Sequence, residues 1–466
     1  KKVLRHFGFV GMGKRERRDG EGTKRQTLKN RGKPAHIQHG SASRQHSSSQ
    51  STSRLLSQRW SFIQQLLLRW LKIFWKGSQH PDRCWVWIFL PAFIWYLSLL
   101  RQSLRPQPLR VGSVLPAHPG SLDGLVPSDA YVEMVTQGLD GTMEAPVWRF
   151  EPALGRGYLI FSQIEKLRLW KWEEGGGAFT LGRSLFREDV PSTVEEGTSC
   201  SSRGVRATSL LAMDKTQSAF AAFLVLCNAD RVVRMEHNGS LTPLATAENA
   251  AAAWTQLGGG EVFDDHYVFS PQDVLVHPVT GDLFVTDAVD VDTTGMMTEE
   301  GGSRVDRRGG GRIWRITSPH IQAASSATDI LPPLELLATD VEHPRGLGFS
   351  PDRTHLYVAD ASPGHPHWRV YPMQEDGTLG EGAVWAEASS FEGEGAPGGI
   401  QVDDKGNVFA IGPGGVRIFD AKGVYMGVIS TGSVTTGLSF GADNFLYITG
   451  RGGVYRIKTK VKLGLK

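Results

Sequence analysis

"HPRGLGFSPDRTHLYVADA" (343–361) reads as an apolar strand, a Ser-Pro-Asp turn and a second apolar strand ending on Asp-Ala. Nearly the same phrase stands at 270–288 as "SPQDVLVHPVTGDLFVTDA". Worn forms stand at 396–413, "APGGIQVDDKGNVFAIGP", and at 434–451, "VTTGLSFGADNFLYITGR". Two weaker copies, "APVWRFEPALGRGYLIFSQ" (145–163) and "ATSLLAMDKTQSAFAAFLVLCN" (207–228), bring the total to six. Most copies lead into a third strand with an aliphatic or aromatic residue at alternate positions, such as "KLRLWKW" (166–172), "RIWRIT" (312–317) and "GVYRIK" (453–458). A fourth run such as "LELLAT" (334–339) then precedes the next copy. Four short strands repeated about 40–70 residues apart predict propeller blades, because one such sheet cannot bury both of its faces alone. The expected fold is all-β: a six-bladed β-propeller over 131–466, with no convincing long helix. In such a ring the quoted phrase is the innermost hairpin of a blade. Its leading residues meet at the channel mouth, which places candidate site positions at 144–148, 270–273, 343–346 and 397–400.

The segment before the propeller has a different composition. Residues 1–84 carry 19 Lys+Arg against 4 Asp+Glu, a balance of +15; the remainder carries 32 against 44, or −12, which sums to the chain's +3. A basic tail on an acidic body argues against a specific nucleic-acid-binding surface. Residues 1–53 are poor in large apolar side chains and are expected to be a disordered basic tail; a transit peptide is the other reading of a basic, Ser-rich start. The chain opens on Lys1, which reads as a fragment or a misplaced start with Met12 as the alternative. "RLLSQRWSFIQQLLLRWLKIFWK" (54–76) sets a basic stripe beside a Trp/Leu face, so 54–83 is expected to lie as an amphipathic helix in a membrane interface. "CWVWIFLPAFIWYLSLL" (84–100) has no charged residue and fits a transmembrane segment near the lower length limit for about 30 Å of hydrocarbon. The basic tail orients the N-terminus to the cytosol and the propeller to the lumen or exterior. Residues 101–130, rich in Pro, Gly and Ser, read as a linker. Asn238-Gly239-Ser240 is either a glycosylation sequon or a hairpin turn. Cys84 at the membrane edge is a site for acylation. Cys200 and Cys227 either pair in an oxidising lumen or leave Cys227 as a small buried hydrophobe.

The ordered series "EAPVW", "SPQDVLV…GDLFVTDA", "HPRGLGFSPD…LYVADA", "APGGIQVDDKGNVFA" and "GVRIFDAKG" resembles the senescence marker protein/gluconolactonase/luciferin-regenerating enzyme-like family over about 140–460. The family patterns are E-G-P-x-W, S-P-N-D, P-N-G-x-x-F-S-P-D, P-D-G and G-V-x-x-F-x-x-x-G. The resemblance implies a six-bladed propeller, calcium or another divalent cation in the channel, and hydrolysis of a small-molecule lactone. It implies metal ligation by Glu144, and site positions at Gln272, Asp273 and Arg345.

At the site positions the chain departs from that pattern three times. Gln272 stands for the Asn of S-P-N-D, Arg345 for the Asn of P-N-G, and Gly398 for the Asp of P-D-G. A hard cation draws affinity from several oxygen ligands and carboxylate charge. A guanidinium cannot deprotonate to admit one. The substitutions favour loss of the metal site over a weakened site resting on Glu144, Gln272 and water.

His266 is a general-base candidate or part of a solvated loop, and His343 caps a strand or takes part in catalysis. Asp287, Asp290 and Asp292 have calcium-loop spacing without the remaining ligands. The functional expectation is a membrane-anchored gluconolactonase-like hydrolase with a degraded metal site. The alternatives are a non-catalytic binding propeller and a strictosidine synthase-like or adipocyte-membrane-protein-like propeller.

Overall fold

The computed structural model describes residues 109–461, apart from 137, 152–155, 167, 175–176, 181–204, 212–222, 229–230, 237–240, 258–268, 289–309, 325–330 and 332–333. The chain falls into two units, Lys1–Leu104 and Arg105–Lys466, and every described residue belongs to the second. The readings of the tail (1–53), the interfacial helix (54–83), the membrane segment (84–100), Cys84, Cys200, the sequon at 238–240, the 264–266 loop, Asp290 and Asp292 lie outside the described residues. Among the described residues no helix is long and apolar enough to cross a membrane.

The described strands form six antiparallel sheets. Sheet 1 holds Met143–Glu151, Arg156–Gln163, Arg168–Glu173 and Gly177–Thr180; sheet 2 holds Val205–Leu211, Phe223–Asn228, Arg231–Met235 and Leu241–Ala245. Sheet 3 holds Pro271–Val276, Leu283–Asp287, Gly311–Ile316 and Glu335–Val341; sheet 4 holds Pro344–Phe349, His355–Asp360, His367–Pro372 and Ala383–Glu387. Sheet 5 runs Ile400–Val402, Val408–Gly412, Gly415–Phe419 and Tyr425–Ser430; sheet 6 runs Thr435–Phe440, Phe445–Gly450 and Gly453–Lys458. The first strand of each sheet lies beside the first strand of the next, and that of sheet 6 returns to that of sheet 1. The result is an all-β propeller closed on itself.

The sequence pattern explains why the sheets stack in this way. Successive side chains of a strand point to opposite faces. Here both faces are covered, so strands read as unbroken apolar runs. Leu283 and Val285 enter the core shared with sheet 2, while Phe284 between them enters the core shared with sheet 4. Tyr357 and Ala359 face sheet 5, while Leu356 and Val358 face sheet 3. The buried apolar residues fall into six clusters, one at each junction around the ring. Cys227 is fully buried in the cluster between sheets 2 and 3, which is the small-hydrophobe reading of that residue.

Two expectations are corrected. The linker reading of 101–130 fails from Leu109 onward. Leu109–Val111 pairs with Val132–Met134 at the outer edge of sheet 6, and Ser113–Pro116 pairs with Tyr425–Ser430 at the outer edge of sheet 5. These strands cover edges that would otherwise present unpaired N–H and C=O groups. The change of sheet occurs at Gly112, at φ 63°, where an added Cβ would lie 1.9 Å from the Ser430 carbonyl oxygen. Such short Gly- and Pro-flanked strands carry too little periodicity to stand out from a linker.

The second correction is a ten-residue helix, Ala247–Gln256. It starts at Thr246, whose N–H donates to the Asn249 side chain at 2.7 Å, and it buries Ala250 and Ala253 between sheets 2 and 3. Its alanines favour a helix intrinsically, but their small side chains give it a weak hydrophobic signature.

Candidate active site

The leading residues of the quoted phrases meet, and β-bulges make the meeting possible. The ladder skips one residue between Val205 and Ala207, Pro271 and Asp273, and Thr435 and Gly437, and two between Glu144 and Val147 and between Pro344 and Leu347. Five of the six inner strands are thus bulged where they enter the ring. A bulge leaves a backbone group without its ladder partner and re-aims the neighbouring side chains. Here some of the released groups bind the adjacent sheet, as the Arg345 and Met143 carbonyls do.

Sheet 3 grips sheet 4 in this way. Leu347 N–H donates to Asp273 Oδ2 at 2.8 Å, and Thr286 Oγ1 donates to the Arg345 carbonyl at 2.7 Å. On its other side, sheet 4 touches sheet 5 through glycine: a Cβ added to Gly346 would lie 2.1 Å from the Gly398 carbonyl oxygen. Gly399 lies close to Gly437, and a Cβ on Gly437 would lie 2.6 Å from Pro146 Cδ in sheet 1. Thr436 Oγ1 donates to the Met143 carbonyl, next to Glu144. Contacts therefore run from 273 through 345–347, 398–399 and 436–437 to 143–146.

Each candidate residue has a place in that ring. Asp273 is partly buried at the junction of sheets 3 and 4. Loss of solvent around its carboxyl pushes its pKa up to about 7, against the Leu347 and Val274 N–H groups, which hold it down. Gln272 is the extra residue of the bulge and is 6% exposed. Its Nε2 donates to the Ser270 carbonyl, the Ser270 hydroxyl and, at 2.7 Å, the Ala288 carbonyl, so its amide nitrogen is turned into the loop. Glu144 lies opposite Ser162 in sheet 1, and its carbonyl accepts from the Ser162 hydroxyl at 3.3 Å. Arg345 lies in the bulge of sheet 4, three sheets away around the ring.

Two motif residues have structural roles. Ala145 sits at φ 55°, a left-handed conformation, where the family pattern carries Gly. Trp148 stacks on Tyr447 with ring centroids 4.9 Å apart, joining sheets 1 and 6. At Gly398 an added Cβ would meet Ile411 Cγ2 and the Thr436 carbonyl at 3.2 Å, so a longer acidic side chain would have to displace its neighbours. Among the described residues there is no group of three or more His, Cys, Asp or Glu side chains placed to hold a metal ion. Arg345 and Gly398 stand at two of the positions where the family pattern has Asn and Asp.

Motif reading named Asp287 only for its spacing and did not see the role of the acids that end second strands. Asp287 closes sheet 3's hairpin by accepting from Ser270 N–H at 2.8 Å and from Trp314 Nε1 at 3.2 Å. It therefore holds the loop; the rest of the calcium-like spacing, Asp290 and Asp292, lies outside the described residues. Asp360 does the same in sheet 4, accepting from Glu342, His343 and Ser362 N–H at 2.8–3.0 Å. For His343 this is the strand-capping reading, made through its backbone. The recurring "TDA" and "ADA" endings were the signal in the sequence. Thr286, which joins Asp273 to Arg345, was also missed; it is the residue before Asp287.

Six sheets whose first strands close a ring define a propeller, an architecture able to hold a small-molecule site where those strands meet. Residues 142–451 match the profile of the SMP-30/Gluconolactonase/LRE-like region, and the chain belongs to that family. It is 32% identical to the gluconolactonase of Zymomonas mobilis over 137 residues, 27% of this chain and 38% of that relative, so the match spans well under half of its length. A solved gluconolactonase from Xanthomonas campestris superposes with a TM-score of 0.54 at 20% identity, covering 76% of this chain and 99% of that one. A gluconolactonase candidate solved by a structural genomics consortium superposes with a TM-score of 0.53 at 21% identity, covering 75% and 99%. At these identities the superpositions establish the fold alone.

Proposed function

We propose that the channel mouth binds and hydrolyses a small lactone. Asp273 accepts the proton of an attacking water. Arg345 stabilises the negative charge that grows on the carbonyl oxygen, and the ring C–O bond breaks as the leaving oxygen takes the proton that Asp273 had accepted, which returns Asp273 to the carboxylate. The observation that carries this reading is an aspartate with a pKa near 7, set on the mouth ring in the family's S-P-N-D motif. A general base works best with a pKa close to the ambient pH. Glu144 would orient a substrate hydroxyl, and Gln272 would fix the loop that carries Asp273.

No step runs through a metal ion. The guanidinium of Arg345 brings the positive charge that a metal would otherwise bring, and a fixed cation aimed at a developing oxyanion is an established catalytic device. We propose further that residues 54–100 attach the propeller to a membrane, its body lumenal or extracellular, on the strength of the uncharged run at 84–100. Vesicle flotation of the full chain, lost in a chain starting at Arg105, tests the attachment.

The functional test is turnover of glucono-1,5-lactone by the full chain, above the spontaneous rate, in EDTA. Asp273→Asn should lower kcat by about 100-fold, the lower end for loss of a general base. Millimolar calcium should leave both turnover and melting temperature unchanged. Binding without turnover would favour the non-catalytic propeller, for which the bare Gly398 position already speaks. A calcium-dependent rise in melting temperature that Glu144→Gln abolishes would restore the family's metal site.

A further inference from the structure

Thr286 is fully buried and stands next to Asp287 at the end of sheet 3's second strand. Its hydroxyl makes two contacts on opposite sides. It accepts from Asp273 N–H at 2.9 Å and donates to the Arg345 carbonyl at 2.7 Å. Both backbone groups belong to bulged segments, where the ladder between strands is interrupted. The proton count fixes the direction: a hydroxyl has one hydrogen to give and lone pairs to receive. One small side chain therefore ties the backbone of the candidate base to the backbone of the candidate electrophile.

We infer that Thr286 is a positioning residue for this site, setting the separation of Asp273 and Arg345 without touching substrate. The inference rests on the proposed lactone chemistry for its kinetic consequence, but not for its geometric one. Valine at 286 has nearly the same volume and neither function. It would remove both bonds that Thr286 makes, to the Asp273 N–H and to the Arg345 carbonyl, and let the bulge of sheet 4 relax away from sheet 3. The Leu347 N–H, two residues beyond Arg345, would then loosen from Asp273 Oδ2. That bond is one of two, with the Val274 N–H, that hold the carboxyl down against its burial.

The test compares Thr286→Val, Thr286→Ser and Thr436→Val in the full chain. Thr436 provides the control: its hydroxyl makes the corresponding inter-sheet bond to the Met143 carbonyl, away from Asp273. Two readouts are taken, lactone turnover and the titration midpoint of Asp273 from carboxyl-13C NMR. In Thr286→Val kcat should fall at least ~10-fold, as expected for a misplaced catalytic pair, with KM changed less than ~3-fold. The Asp273 midpoint should rise above about 7. Serine should restore both, and Thr436→Val should lower the melting temperature while leaving the midpoint in place. A midpoint unmoved in Thr286→Val, a serine variant as impaired as valine, or an equal midpoint shift in Thr436→Val would each overturn the inference. If Thr286→Val does not fold, Thr286→Ala carries the same comparison. If no variant, wild type included, turns over lactone, the functional reading fails, and the NMR arm still decides the role of Thr286.

Discussion

The inner strand of sheet 4, Pro344–Phe349, is held differently on its two sides. Toward sheet 3 it is caught by side chains: Asp273 receives the Leu347 N–H and Thr286 donates to the Arg345 carbonyl. Toward sheet 5 the approach is close, backbone against backbone at Gly346 and Gly398, with Gly348 against the Ile400 and Val402 side chains. The side-chain junction can titrate and can be retuned by single substitutions. The glycine junction can do neither, and fails only when something is put into it. The candidate chemistry lies on the titratable side, where polar groups were already needed to satisfy backbone freed by the bulges.

The sharpest way to break the contrast is Gly346→Ala. Its Cβ would lie 2.1 Å from a carbonyl oxygen of the neighbouring sheet, and backbone on both sides leaves nothing flexible to yield. The expected cost is about 4 kcal/mol or more, in the range reserved for overpacking that forces backbone apart. Urea unfolding measures it. Gly399→Ala, whose Cβ would meet the movable Leu438 Cδ2 at 3.1 Å, should cost far less.

On the titratable side, Asp273→Asn should change how stability depends on pH. The folded-state pKa of about 7 is above the unfolded value of 3.8. The folded state therefore binds the extra proton between those values, and stability declines as pH rises through that window. The stabilisation is present below the unfolded pKa and gone above the folded one. The gap between the two values corresponds to ~4 kcal/mol as an upper figure. The asparagine variant should lose that slope, so the difference in unfolding free energy between variant and wild type should shift in the variant's favour from pH 4 to pH 7.5. Parallel profiles would mean that Asp273 is already ionised well below neutrality.

Much of this ring was legible in the sequence, and the reasons differ from residue to residue. The phrase at 343–361 predicted an inner hairpin because Leu356 and Val358 face one neighbour while Tyr357 and Ala359 face the other, which demands an apolar residue at every position. The convergence of 273, 345 and 398 followed from repetition. The strands Leu109–Val111 and Ser113–Pro116 were not legible, because an edge strand needs only backbone pairing and imposes little on its side chains. Thr286 was missed because its importance is set by a neighbouring sheet 59 residues further along the chain. The φ of Ala145 is signalled only by the Gly that the family pattern carries there, since alanine by itself does not announce a left-handed conformation.

A smaller effect compares hairpins within the ring. Sheets 3 and 4 end their second strands on Asp287 and Asp360 and continue into long connections; sheets 5 and 6 end on Gly412 and Gly450 and turn within two residues, into Gly415 and Gly453. A tight turn leaves few backbone donors to satisfy, whereas the longer loops need an acid to collect them. Asp360→Ala removes the acceptor of three N–H groups and should cost about 3 kcal/mol, since each stranded donor costs about 1–3 kcal/mol when shielded from water and Glu342 is near solvent. Thermal unfolding checks it. A loss under about 1 kcal/mol would mean that water replaces the carboxylate and that the long loop needs no clamp.

The smallest expected change is a gain. Ala145 holds φ 55° in the bulge beside Glu144. A left-handed residue with a Cβ costs roughly 1–2 kcal/mol, which glycine does not incur. Part of that is returned by the greater freedom of glycine in the unfolded chain, about 0.4–1 kcal/mol. Ala145→Gly should therefore stabilise the propeller by about 0.5–1 kcal/mol, a small rise in melting temperature. The contrast between the two sides of the ring sharpens here. If the strain at 145 serves to fix the direction of Glu144, the glycine variant should be more stable yet turn over lactone more slowly, because relaxing the bulge frees the carboxylate that orients the substrate. If stability and turnover rise together, the alanine at this position has no catalytic use, and Glu144 is held by its sheet alone.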